Sequence, residues 1–246
     1  TELCEGQRPT ATDVCRFMSD SVDPLLGEEK ILGRTVSQTH NIQSVVVDGG
    51  HRLVYIAAGG TPVHQGFYDA YHWDDLFAGK TSPQCQGQAV PYQFRNQRVA
   101  EAKKHYCFSM SYSLSGESEK AFAALEQSVR AHTDLESALT WSQWLLKRDD
   151  PRSAIHVLGE QIDQSTQSSE RYELRLPEVA EAELWLARAY RLAGQTSESE
   201  RIVKKILAQK RHLDNRLLIL AKRVSSYTPQ KLAQFTIPYS LYLPLE

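Results

Sequence analysis

The sequence predicts an α+β protein. A small disulfide-linked α/β region with a β-hairpin, residues 1–95, precedes helical hairpins, 96–226, and an apolar tail, 227–246. Three observations carry this reading. Helix-period apolar runs recur in one register between residues 96 and 223, β-rich runs flank Asp48-Gly49-Gly50, and all four cysteines fall in the first half of the chain.

The helical part is clearest at Ala182–Leu207. Leu184, Leu186, Ala187 and Tyr190 recur at helical spacing, Gly194-Gln195-Thr196 interrupts, and Ile202, Val203, Ile206 and Leu207 resume. Ala187 lets a second helix come close, Tyr190 anchors one turn later, and Gly194 can take the positive φ that ends a helix. Ser197 with Glu200 has the form of a capping box for the second helix. The offsets Ala187, Tyr190, Gly194, Ser199, Val203 recur at Ser109, Tyr112, Gly116, Ala121, Leu125. They recur more loosely at Ser142, Leu145, Asp149, Ala154, Leu158, where Asp149-Asp150-Pro151 makes the turn.

This order of a small residue, an aromatic, a turn glycine, a second small residue and a large apolar residue resembles the tetratricopeptide repeat. The step from Ser109 to Ser142 is close to that family's period of about 34 residues. The step to Ala187 is longer, and the polar run Asp163–Glu170 is the insertion. The resemblance covers about half the chain. It implies an α-α superhelix whose first helices line a concave surface for a peptide or protein, with Lys103, Tyr106, Met110, Gln143, Lys147, Arg188 and Arg191 as exposed candidates.

In the amino-terminal region, Thr10 or Thr12 should cap a short helix through Cys15 and Met18. Gln43–Val47 and Leu53–Ala57 should pair across Asp48-Gly49-Gly50, with Ile31–Val36 as a third strand, because a lone hairpin is marginal in water. Phe67, Tyr71 and the neighbouring rings lie at helical intervals and read chiefly as core; Tyr68, Tyr71 and Trp73 are the alternative, a site for a planar ligand or sugar. Residues 78–95 read as a loop-rich boundary. Near the carboxyl end, Leu217–Val224 should cap the last hairpin and Thr228-Pro229 should open a brief helix. In the tail, Pro238 and Pro244 exclude a regular helix, and Tyr239, Leu241, Tyr242 and Leu243 are expected to dock.

Cys4, Cys15, Cys85 and Cys107 are an even set that suits two disulfides in an oxidising compartment. Local pairing gives Cys4 with Cys15 and Cys85 with Cys107; the other pairings stay open, as do four reduced thiols in a cytosolic chain. With Thr1 at the start, a removed signal peptide is expected and, with it, a periplasmic or secreted location.

Composition narrows the function. The chain is 41% hydrophobic and 24% charged with a formal net charge of -2, which gives no overall attraction to nucleic acid or anionic membrane. No apolar run approaches the roughly 20 residues of a membrane span. Phosphate-loop, dinucleotide, serine-hydrolase and zinc-protease signatures are all missing, and the gap between His64 and His72 is not a helical metal-ligand spacing. No cofactor or metal is expected. Basic residues from Arg191 to Arg223 against Glu117, Glu119, Glu126, Asp134 and Glu136 give oppositely charged poles, or simply solvated helix faces. The expected function is a non-catalytic scaffold binding another protein in a cell-envelope assembly. A cytosolic repeat domain whose basic end touches nucleic acid is the alternative.

Overall fold

The computed structural model describes residues 9–33, 35–36, 43–58, 66–84, 92–167 and 175–234. The chain divides into two compact units, Thr1–Lys103 and Lys104–Glu246. It is α+β, with small antiparallel sheets in the first unit and helices in the second.

In the first unit, helix α1 (Ala11–Met18) opens on a capping box. The Thr10 hydroxyl accepts from the Asp13 N–H, and the Asp13 carboxylate accepts from the Thr10 N–H. A two-residue ladder, β1 (Val22–Asp23) with β2 (Glu28–Glu29), follows. Strands β3 (Val45–Asp48), β4 (Leu53–Ala58) and β5 (Phe67–His72) form an antiparallel sheet in that order. The hairpin lies where Asp48-Gly49-Gly50 places it: Asp48 Oδ1 accepts from the N–H groups of Gly50 and His51, and Arg52 takes a φ of 56°. Alternation then sorts the side chains. Val46, Tyr55, Tyr68 and Ala70 form a core with Cys15 of α1, whereas Val45, Val47 and Phe67 on the alternate positions are exposed.

Two expectations for this unit are corrected. The third strand is Phe67–His72 rather than Ile31–Val36; Ile31 and Leu32 are buried in a bend. In the strand, Tyr68 and Ala70 share one face, so the segment follows period 2, and only Trp73–Phe77 becomes helical, as α2. The spacing of Phe67 and Tyr71 fits both periods, and pairing with β4 decided between them. The second correction concerns the disulfides. Cys15 is a free thiol, 1% exposed, its side chain packed into the sheet core. No disulfide forms among the described residues, and Cys4 and Cys85 lie outside them.

Helix α3 (Gln97–Leu114) contains the division between the units. The second unit continues with α4 (Ser118–Ala131), α5 (Leu135–Lys147), α6 (Pro151–Thr166), α7 (Leu176–Leu192), α8 (Thr196–Ala208), α9 (Asn215–Ser226) and α10 (Pro229–Gln234). Asp134 and Asp214 cap α5 and α9, and Asp150 caps α6 with Pro151 in its first turn. Ser197 does not open α8: that helix starts at Thr196 after Gln195, with no side-chain cap. One apolar core joins α5 to α10. Leu139, Leu158, Leu184, Ile202 and Ile206 are buried in it, and Leu220, Ala221 and Val224 of α9 cover the α7–α8 hairpin as anticipated. The tail residues Tyr239, Leu241, Tyr242 and Leu243 lie outside the described residues.

Candidate functional site

The turns between paired helices are built alike. Gly116, Asp149 and Gly194 have φ of 74°, 59° and 78°. In each case the next residue's N–H bonds back to a carbonyl five residues earlier: Glu117 to Tyr112 at 2.8 Å, Asp150 to Leu145 at 2.9 Å, Gln195 to Tyr190 at 2.8 Å. This is the Schellman closure that a left-handed residue permits. The positions around the turns agree as well. Ser109, Ser142 and Ala187 are fully buried, as are Ala121, Ala154 and Ser199. Small residues there let each helix pair approach closely, and the Ser109 hydroxyl donates to the Ala121 carbonyl at 2.7 Å. The middle hairpin, which matches the pattern more loosely in sequence, keeps the same closure because Asp149 adopts the conformation glycine takes elsewhere.

The candidates on the first helices fare unequally. Lys103, Tyr106, Gln143 and Arg188 are buried, not exposed. Lys103 Nζ donates to Ser21 Oγ at 3.1 Å within the first unit. Arg188 lies 4.9 Å from the Trp185 ring and donates to the Leu232 carbonyl at 2.8 Å, so α10 covers it. Burial pushes its pKa down to about 10, which leaves it charged at neutral pH. Gln143 is 3% exposed and neither side-chain amide atom has a partner among the described residues. Met110 and Arg191 are half-buried, and Lys147 is exposed beside the Trp144 ring. Hydrophobic periodicity marks a helix face, but not which segment will cover it.

Compared with known proteins, the chain matches no family model, no curated protein and no solved structure.

Geometry therefore has to supply the site. A groove of about 420 Å³ runs between the later turns of α6 and α8 over α7, lined by Ile162, Asp163, Thr166, Glu183, Leu186, Arg201, Ile202 and Lys205. Its floor is apolar: Ile162, Leu186 and Ile202 are all buried. Glu183 is held in that floor, its side chain 5% exposed, with Oε1 paired to Lys205 and Oε2 buried without a partner among the described residues. Sequence reading missed this site. Its one signal is a charged Glu183 inside the apolar run Ala182–Ala187, where a buried acid demands compensation.

The acidic side chains of the expected acidic pole are largely paired locally, as is Arg201 at the basic end. Glu119 pairs with Arg148, Glu117 with Lys120, Glu126 with Arg130, and Arg201 with Glu198. In the amino-terminal unit, Tyr68 is core and bonds Ser44 at 2.7 Å, while Tyr71 sits on the opposite face of β5, so the two rings do not share one ligand surface. Among the described residues, no cluster of His, Cys, Asp or Glu is placed to hold a metal ion, and no helix is long and apolar enough to cross a membrane.

Proposed function

We propose that this chain is a non-catalytic scaffold of tetratricopeptide-like hairpins that binds another protein within an extracytoplasmic, most simply periplasmic, assembly. The observation that carries the reading is the threefold recurrence of one hairpin closure, with buried small residues and a left-handed turn residue at the same offsets. Repeats of this kind cannot each bury their own apolar face, and stacking leaves an extended surface suited to a partner rather than a closed reaction centre. On the first helices, Lys147, Met110 and Arg191 retain exposure and are the contact candidates. The buried neighbours Gln143 and Arg188 fix the shape of that surface.

The free Cys15 thiol removes one support for an oxidising compartment. Location is therefore tested separately, by osmotic-shock fractionation of the native host, where recovery with cytoplasmic markers would reverse the placement. For the binding role, a photo-crosslinking residue is introduced at Lys147 and, in a second variant, at the exposed Glu160 on α6. A discrete adduct with one protein from Lys147 and none from Glu160 is expected. No adduct from either position, or the same adduct from both, would overturn the first-helix surface.

A further inference from the structure

The groove over α7 holds an electrostatic imbalance that points to a specific kind of occupant. Glu183 is a buried carboxylate with only one oxygen compensated, by Lys205. A buried charge with an unfilled acceptor position is costly, and the cost disappears when a donor reaches it. Asp163 lies exposed on the α6 wall of the same groove, and among the described residues no ion pair engages its carboxylate. The groove's own cations are already committed: Lys205 to Glu183, and Arg201 to Glu198 at 2.9 Å. What faces a visitor is the Asp163 carboxylate above a floor of Ile162, Leu186 and Ile202, in which Glu183 Oε2 is buried and unfilled.

We propose that this groove binds a basic side chain, arginine in preference to lysine, presented by a peptide segment of a partner. The aliphatic stem of such a residue lies on the apolar floor while its charged head stays at the carboxylates. A guanidinium suits two acceptors better than an ammonium, because its planar fork offers several donors at fixed directions. An acidic or phosphorylated ligand is disfavoured, since it would have to pull Lys205 from Glu183 and leave that buried carboxylate bare. The groove volume of about 420 Å³ falls in the range of small-ligand pockets and holds one large side chain with its flanking backbone. The groove lining does not include Lys147, Met110 or Arg191, so its test is distinguishable from that of the proposed binding surface.

The test uses the full chain with labelled isoleucine and leucine methyl groups, titrated with N-acetyl-arginine amide and followed by NMR. Saturable shifts at Ile162, Leu186 and Ile202 are expected. The uncharged isostere N-acetyl-citrulline amide should produce shifts at least about tenfold weaker in apparent affinity, the usual worth of a charge-assisted contact. Asp163→Asn, on an exposed position that leaves the fold intact, should weaken arginine binding about five- to tenfold. Glu183→Gln should weaken it further if the variant folds. The proposal is overturned if arginine and citrulline derivatives behave alike, if N-acetyl-glutamate amide is the one that saturates, if Asp163→Asn leaves the affinity unchanged, or if no saturable shift occurs.

Discussion

Arg175 and Glu136 form a buried ion pair, with guanidinium Nη2 2.9 Å from Glu136 Oε1 and side chains 9% and 7% exposed. It ties the residue capping α7 to the first turn of α5, across the step where the helical register of the sequence lengthens. Removing one partner takes away the other's buried counter-charge. Arg175→Ala or Glu136→Ala should each cost about 3–5 kcal/mol in urea unfolding, whereas Glu136→Leu with Arg175→Met should recover most of that loss. If both single variants unfold like the parent, the pair does not lock α5 to α7.

Gly116 and Gly194 have positive φ, and an added Cβ at either would meet nothing within 4 Å. Alanine there isolates backbone conformation from packing. Gly194→Ala should lower stability by about 1 kcal/mol, Gly194→Asn by less, and Asp149→Gly, at the equivalent turn, should be neutral or slightly stabilising. Equal losses from alanine and asparagine at position 194 would show that the left-handed turn is not the cause.

Cys15 sits in the sheet core, and burial pushes its thiol up to about 11. It should resist a thiol reagent at pH 8 in the native protein and react at once in denaturant. Because the folded-state pKa is raised, the associated stability is fully present below the ordinary value of 9.0 and is lost as pH rises through about 11. Fast native-state labelling would move Cys15 out of the core.

Glu29 accepts from the Tyr92 hydroxyl at 2.8 Å and from the N–H groups of Arg95 at 2.9 Å and Asn96 at 2.8 Å, just ahead of α3. Burial alone would raise its pKa, but these donors outweigh burial and hold it below the ordinary 4.5. A depressed carboxylate stabilises the fold above that ordinary value, and the contribution is lost as pH falls through the folded-state pKa. Glu29→Gln should cost about 1 kcal/mol, the size of a lost helix cap, and should flatten the acid limb of the stability curve. The Arg95 and Asn96 amides should then exchange faster with solvent, and unchanged exchange would argue against the clamp.

Much of the fold was legible because its signals are local. Thr10 with Asp13 caps α1, the Asp48 turn joins β3 to β4, Pro229 opens α10, and the offsets around Gly116 and Gly194 mark hairpin closures through nearest-neighbour geometry. The binding surface was less legible. Lys103, Gln143 and Arg188 stand where periodicity allows either exposure or burial, and only their long-range neighbours decide.

The residue order by itself determined the cap of α1, the hairpin turns at Gly116, Asp149 and Gly194 and the small residues that let those helices pair, because those outcomes depend on φ, spacing and capping within a few residues. Tertiary packing alone decided that Phe67–His72 becomes a strand, that Cys15 enters a core, that α10 covers Arg188, and that Glu183 lines a groove with one buried oxygen unfilled. Each of these is set by which distant segment removes water from a side chain, a quantity that no local pattern encodes.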